Sequence, residues 1–470
     1  MKKLTTLLLL LVASTLVILG QDGQVFTQRQ LLWYIGNYHP VAQQGELLLN
    51  QGESSVRKAR GSFDPYLRGS LDQKYFDDKT YFSILGTGLT IPTWYGIEVK
   101  TGFDQNRGQF LNPENTVPEA GLVFAGISIP VGQGLFIDER RATLKQAKLF
   151  AEATRAEQEK LMNDLYFDAI KLYWKWTQVW NQYQIYTEAV NLAQTRFEAV
   201  RQSYFLGDIP AIDTLESFIQ VQNRQMKRNQ YELLYQNITL ELSNYLWFEN
   251  NIPLEITDSL RPPVISDAKA GELITGDTLQ QLISSLQDQH PDMQLYDYKL
   301  ESMEVEKRLM VEGLKPEINL DYNALFDASG AELNGEYLAG NYKWGIEVNF
   351  PLLFRKQRGD VQLARIKIQD TRLGQQQKLL ELENKVKSYY NEQLNLIGQL
   401  QLFSDAVINY ERLFSGEKRK FDAGESSLFL VNSRETNLIQ ARLKLVEIIA
   451  NYNVAQSGLI WASGMLYRQP

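Results

Sequence analysis

The sequence predicts an α+β membrane protein in which one unit, β-strands followed by a long α-helical hairpin, is written twice. Three observations predict it: an ordered series of internal matches, two very long stretches of helix-forming residues each followed by a shorter return, and segments in which apolar and polar residues alternate strictly. The matches come first, because self-similarity decides how everything else is read. The only two histidines, His39 and His290, each precede a proline, Pro40 and Pro291, and twenty-five residues beyond each stands another, Pro65 and Pro316. Gly-Ile-Glu-Val occurs at Gly96–Val99 and again at Gly345–Val348, and a glycine-containing break follows in each half, at Gly207 and Gly424. An ordered series of this kind is a tandem duplication. Its expected parts are residues 23–250 and 277–470, joined by a Pro/Gly-bearing connector at 251–276. One histidine per half, without a spacing such as His-Glu-x-x-His, reads as a turn of the repeat and not as a metal ligand.

The helical texture is the longest feature. Between Gly134 and Gly207 lie 72 residues with neither glycine nor proline. Rich in Ala, Leu, Glu, Gln, Lys and Arg, they read as one helix of roughly 105 Å at about 1.5 Å per residue. The counterpart runs from Asp360 to Ala423, without proline but with Gly374, Gly398 and Gly416. Beyond each break comes a return helix with a seven-residue apolar rhythm. In the first half it is Ile212, Ile219, Met226, Leu233, Leu240 and Trp247; in the second it is Val431, Leu438, Leu445, Tyr452 and Leu459. Such a rhythm predicts a coiled-coil seam. The aromatics Tyr166, Phe167, Tyr173, Trp174, Trp176 and Trp180 on the first long helix are expected to pack between helices.

The strands show a period of two. Ile318, Leu320, Tyr322, Ala324 and Phe326 alternate with polar residues, as do Tyr342, Trp344, Ile346, Val348 and Phe350. In the first half Tyr95, Ile97, Val99, Thr101 and Phe103 do the same, and 63–74, 81–91 and 122–129 are further candidates. Alternation over about ten residues describes a strand with one apolar and one wet face. A two-layer soluble sheet would show it too. Lipid-facing strands of a β-barrel have this length and pattern, and one chain has too few strands to close a barrel alone, so several copies would have to share one.

Composition bears on compartment and chemistry. Lys2 and Lys3 precede an uncharged run from Leu4 to Leu19, the layout of a secretory signal peptide over residues 1–22. An uncleaved anchor is the alternative, although the run is short for a helix that needs roughly 20 apolar residues to span a bilayer. No cysteine is present, which excludes disulfides, thiolate metal sites, a cysteine nucleophile and an acylated N-terminal cysteine. The net charge of -8 argues against nucleic acid as a partner. Without a nucleophile constellation, a metal-ligand pattern or a phosphate-binding Walker loop, the chain reads as no enzyme and as needing no cofactor, any energy being supplied by a partner.

The two hairpin tips make the resemblance specific. They read Tyr204-Phe-Leu-Gly207-Asp-Ile-Pro-Ala-Ile-Asp213-Thr-Leu215 and Phe421-Asp-Ala-Gly424-Glu-Ser-Ser-Leu428-Phe-Leu-Val431. An aromatic, two residues, a glycine, a short loop and an Asp/Leu-rich helix start resemble the tips of the TolC-like outer-membrane efflux proteins, and the likeness extends over essentially the whole mature sequence. Glycine permits the left-handed backbone that ends a helix, and small polar residues are expected to cap the next. The resemblance implies a homotrimer with one outer-membrane β-barrel continuous with an α-helical barrel across the periplasm. Its expected role is a passive exit duct of a tripartite efflux or type I secretion system. It implies a periplasmic adaptor (membrane fusion) protein, an inner-membrane pump of RND or ABC type and outer-membrane lipid as partners. Tyr204, Gly207, Asp208, Phe421, Gly424 and Glu425 are then the tip residues that contact the adaptor.

Two departures from the family pattern matter. Acidic positions near the second tip are here Leu430 and Ser433, and a tyrosine and an arginine that tie closed tips are Phe421 and Ser426. The matching aspartate of the first tip is present as Asp213, with Glu216 one turn on. These two are expected to supply the entrance charge and gate, with the closed state held mainly by packing; the alternative for Asp213 is a helix-cap or first-turn acid. In the first half Pro65 to Pro130 spans 65 residues, against 35 for Pro316 to Pro351. Two strands there give the family's twelve per trimer, and four give eighteen. The reading favoured here is a twelve-stranded core with an added hairpin, and 106–119 as an external loop. Arg140, Arg141, Arg355, Lys356 and Arg358 follow the last strand of each half, either at the inner lipid boundary or as ordinary helix-start charges. A cell-surface structural or adhesive coiled coil without a pore is the competing function, but it gives no reason for duplicated two-faced strands.

Overall fold

The computed structural model describes residues 24–257, 259–265, 275–329 and 340–468. The expected signal segment 1–22 and the 266–274 part of the connector lie outside them. The first half runs α1 (Gln28–Tyr38), α2 (Pro40–Arg60), β1 (Tyr66–Phe76), β2 (Lys79–Pro92), β3 (Glu98–Arg107), β4 (Leu122–Pro130), α3 (Glu139–Leu206) and α4 (Ala211–Ser243). The second runs α5 (Gly276–Gln289), α6 (Pro291–Glu312), β5 (Glu317–Asp327), β6 (Tyr342–Asn349), α7 (Arg355–Asp422) and α8 (Leu428–Ala462). The order of element types is the same in both, with four strands in the first and two in the second, and the long helices α3 and α7 each contain 68 residues.

The paired His-Pro dipeptides have a common local cause. His39 and His290 end α1 and α5 in extended backbone, with φ/ψ of -67°/134° and -73°/129°. Proline forces that conformation on the residue before it and then suits the first position of the following helix. His39 Nδ1 also accepts a hydrogen bond from the Val41 amide at 3.1 Å, so the ring caps α2.

The chain divides into two compact units, and each draws on both repeats. One comprises Leu47–Gln158 and Pro291–Lys378. It holds a single antiparallel sheet in the order β6-β5-β4-β3-β2-β1, in which the β4–β5 ladder joins the two halves. All four first-half strands belong to it. The expectation of a twelve-stranded core with an added hairpin is therefore corrected: among the described residues six strands form one continuous ladder. The connection missed by sequence reasoning is the two-residue turn Asp77-Asp78, at φ 55° and 52°, which closes β1 onto β2 without glycine.

Register puts apolar residues opposite apolar residues across the whole sheet. Leu67 pairs with Leu89, Ile91 with Val99, Val99 with Ile127, Ile127 with Tyr322, and Tyr322 with Trp344. Directly opposed residues share a face, so one face is apolar from edge to edge. The opposite face carries Arg68, Asp72, Glu98, Lys100, Asp321 and Glu347. Four charges there and at the helix start are paired, Lys100 with Asp321 at 3.2 Å and Glu98 with Arg140 at 2.8 Å.

The other unit comprises the described residues up to Glu46, Glu159–His290 and those from Leu379 on. Its main core packs Tyr166, Phe167, Ile170, Tyr173 and Trp176 of α3 against Leu31 and Ile35 of α1 and Leu242 of α4. The aromatic stripe of α3 is thus interhelical packing, each fully buried apolar side chain contributing about 1.5–3 kcal/mol. Tyr173 Oη donates to the Phe26 carbonyl at 2.9 Å and Trp176 Nε1 to Thr239 Oγ1 at 2.9 Å, so the polar ends are satisfied.

The two seven-residue rhythms have different fates. In α8 Val431, Leu438, Tyr452 and Leu459 are buried, as a seam should be. In α4 Ile212, Ile219, Met226, Leu233 and Leu240 are all exposed, and a comparable row stands on α7 at Ile366, Leu373, Leu380 and Leu394. The α4 row is not a seam within one chain. No helix among the described residues is long and apolar enough to cross a membrane.

Candidate functional site

The hairpin tips are built by one motif used twice. At the end of α3 the Gly207 amide donates to the Tyr204 carbonyl at 3.0 Å and the Asp208 amide to the Ser203 carbonyl at 3.0 Å. At the end of α7 the Gly424 amide donates to the Phe421 carbonyl at 2.9 Å and the Glu425 amide to the Lys420 carbonyl at 2.8 Å. Gly207 and Gly424 take φ of +86° and +76°. This is the Schellman termination, in which the left-handed residue lets two following amides satisfy the last free carbonyls. Tyr204 and Phe421 thus occupy equivalent positions, as do Asp208 and Glu425. The glycines are required by backbone conformation alone, because a Cβ at either would meet nothing within 4 Å.

The return helices start differently. Ser427 caps α8, its hydroxyl accepting from the Leu430 amide. At α4 the cap position is Pro210 and no side chain caps it. The expectation of a small polar cap therefore holds at one tip only. Asp213 lies in the first turn of α4, where its charge complements the helix dipole.

Asp213 and Glu216 come together on the wall of a cavity of 780 Å³ between the two hairpins, with Asp208, Phe421, Gly424 and Ser426. Tyr204 and Glu425 are not on this wall. Tyr204 is exposed beside Phe205 and Leu206 at the outermost turn. Ser426 is bonded within its own hairpin, its Oγ lying 2.5 Å from Glu417 Oε1.

Sequence reasoning missed a charged cluster just behind the cavity. Arg196 of α3 reaches Glu435 of α8 at 2.7 Å and donates to Asn432 Oδ1 at 2.9 Å. Arg224 of α4 lies 3.9 Å from the same carboxylate and donates to Thr436 Oγ1 at 2.9 Å. Asn432 in turn donates to Glu216 Oε1 at 3.1 Å. Glu435 is only 3% exposed and Arg224 6%. Burial pushes the Arg224 guanidinium below its usual range, while the Glu435 carboxylate opposes the shift. Buried Arg224 and largely buried Arg196 share one anion and form a polar tie between the hairpins, beside the packing that was expected to be the main hold. The contributing residues are scattered over three helices, and no local spacing marks them.

Comparison with known proteins agrees with this architecture. Residues 282–465 match the outer membrane efflux protein family. No curated protein matches the chain. Among solved structures the chain is similar to the Campylobacter jejuni CmeC outer membrane channel, with 13% identity, a TM-score of 0.65 and coverage of 93% of this chain and 86% of that one. It is similar to the open state of the Neisseria gonorrhoeae MtrE outer membrane channel at 10% identity and a TM-score of 0.68, covering 94% and 89%. For the outer membrane protein VceC of Vibrio cholerae the values are 12%, 0.63, 94% and 96%. At such identities the likeness is one of fold, and it runs through nearly the whole length of each chain. The resemblance read from the repeats and tips is borne out at the level of fold: residues 282–465 match the outer membrane efflux protein family, and the chain has, over nearly its whole length, the fold of outer-membrane channels.

Proposed function

We propose that this protein is the outer-membrane exit duct of a tripartite efflux or type I secretion system, a passive conduit that opens and closes at its periplasmic tips. The observation that carries the reading is the six-stranded sheet, apolar across one face and charged across the other, with β1 and β6 unpaired along their outer edges among the described residues. Exposed sheet edges invite pairing with another copy, and closing a barrel removes them. A homotrimer would close eighteen strands, with the apolar face toward lipid and the charged face toward the lumen. The exposed apolar rows of α4 and α7 then become contacts between neighbouring copies in the helical part.

In this reading Tyr204, Gly207, Asp208, Phe421, Gly424 and Glu425 meet a periplasmic adaptor, which links the duct to an inner-membrane pump of RND or ABC type. Asp213 and Glu216 form the entrance charge, and separating the hairpins requires breaking the Arg196–Glu435–Arg224 tie. Its location is the bacterial outer membrane, with the helices in the periplasm. Electron microscopy of the detergent-extracted protein tests the assembly. Three-fold particles longer than about 100 Å, with a detergent belt at one end, are expected from helices of this length. Compact or filamentous particles without a belt would overturn it.

A further inference from the structure

The end of the sheet that joins the helices carries an apolar collar that neither strand pairing nor the tips explain. β6 does not pass directly into α7. Phe350–Phe354 intervenes, and Phe354 adopts φ 48°, a left-handed conformation unusual for a bulky side chain. Its ring meets that of Phe350 edge-on at 5.0 Å. The bend leaves Leu352 88% and Leu353 65% exposed. At the corresponding exit of β4, Val131 and Leu135 are exposed and Phe136 is 75% exposed. This loop is a built structure: the Val131 and Gln133 amides donate to the Ile318 and Pro316 carbonyls at 2.8 Å, and Arg141 donates to the Gly134 and Leu135 carbonyls.

Cations border both loops, and they divide into two kinds. Arg140 is held by Glu98 and Arg141 by Asp138 and the loop carbonyls, so these two brace the fold. Lys315 sits over the Phe136 ring at 4.5 Å. Arg355, Lys356 and Arg358 are exposed, and no ion pair engages them among the described residues. Leu135 and Phe136 do not line the charged recess on the polar side, which is formed by Gly134, Asp138, Glu139 and Arg140 with strand residues.

We propose that these two loops are a membrane anchor: Leu352, Leu353 and Phe136 insert into the periplasmic leaflet of the outer membrane, and Arg355, Lys356 and Arg358 hold phospholipid phosphates at its surface. The proposal rests on the barrel reading above. Three arguments favour lipid over a second copy of the chain. Val131, Phe350 and Leu352 continue the alternation of the apolar sheet face beyond the last strand residue. Phe136 follows β4, an interior strand, so a copy pairing at the sheet edges is not positioned to cover it. Exposed apolar side chains followed at once by free Arg and Lys match the order of acyl chain and headgroup. With no cysteine for acylation, an anchor made of side chains supplies what a lipid tail would.

The cysteine-free chain makes the test direct. Single variants Leu352→Cys, Phe136→Cys, Ile346→Cys and Glu425→Cys are spin-labelled and reconstituted in vesicles of phosphatidylethanolamine and phosphatidylglycerol. Accessibility to oxygen and to a water-soluble nickel chelate is then measured at each. Oxygen-dominated relaxation at Leu352 and Phe136, as at Ile346 on the barrel face, is expected, with nickel dominating at Glu425. Nickel-dominated relaxation at Leu352 and Phe136 with Ile346 still in lipid overturns the anchor and leaves the barrel intact. Inaccessibility to both reagents at Leu352 and Phe136 overturns it in favour of a covering protein copy. If Ile346 is also in water, the barrel reading itself fails. In the triple variant Arg355→Gln/Lys356→Gln/Arg358→Gln, phosphatidylglycerol retained through detergent exchange should fall by native mass spectrometry, and unchanged retention would refute the headgroup contact.

Discussion

Replacing Glu435 by glutamine should loosen the two hairpins from each other at their tips. The substitution keeps the shape and removes the one negative charge between Arg196 and Arg224. Side-chain exposures are 4% for Glu435, 7% for Arg224 and 11% for Arg196, so solvent screens little of the loss. The close contact is Arg196–Glu435 at 2.7 Å; the 3.9 Å approach of Arg224 is the weaker one. Removing one partner of a buried pair costs about 3–5 kcal/mol, because the remaining charge stays desolvated and unpaired. If the hairpins can separate without global unfolding, that cost moves the tied state toward the separated one by roughly two to three and a half decades. Backbone amide exchange over the first three turns of α8 and over 211–224 should accelerate, and single-channel conductance in planar bilayers should rise. Adding Arg224→Met removes one of the two stranded cations and should restore part of the loss. Unchanged exchange and unchanged conductance in Glu435→Gln would refute the claim that this tie holds the tips.

Three further outcomes follow from single residues. Burial holds the His39 imidazole below its ordinary value of 6.5, against a smaller opposing effect of the Asn244 backbone, so the folded state favours the neutral ring. Its contribution is complete above pH 6.5 and is lost as the pH falls toward the lowered folded value. The melting temperature should drop between pH 7.5 and pH 5, and less so in His39→Gln. Gly207→Ala should cost about 1 kcal/mol through backbone strain alone, seen as a lower melting temperature and faster proteolysis at 204–210, whereas Gly207→Asn should be nearly neutral. Ala125→Arg, on the apolar sheet face, should cost about 2–4 kcal/mol if it lies near the bilayer midplane and reduce assembled protein in the membrane fraction. Ser70→Arg, on the opposite face, should leave assembly unchanged.

What the sequence made legible was periodic. Equal spacings from His39 and His290, a long run without glycine or proline, and strict alternation at 317–327 and 342–349 each follow from repeating geometry. Boundaries of the long helices were therefore readable to within about five residues. The missed features depend on residues far apart in the chain or on unusual backbone. Asp77-Asp78 turns the chain with two positive φ values and no glycine, so the β1–β2 hairpin gave only a weak turn signal. Arg196, Arg224 and Glu435 lie on three helices and look like solvated helical charges until the hairpins pack. The α4 rhythm was read as a coiled-coil seam with no partner named, and in the single chain that row is exposed. A seven-residue period shows that a face is to be covered, but whether the same chain covers it depends on which neighbours the fold supplies.

The corrected strand count explains why two unequal repeats can end in matched hairpins. Four strands in the first half and two in the second are both even numbers, so each excursion returns the chain to the end of the sheet from which its long helix starts. A hairpin inserted into the sheet changes the width of the sheet but not the end of it at which a helix begins. The helices carry the opposite constraint. Both contain 68 residues and both end in the same Schellman turn. An extra turn in one alone would displace its tip by about 5.4 Å and separate Arg196 from Glu435. Strand number is thus free to vary in pairs, whereas helix length is tied across the duplication by the contacts at the tips.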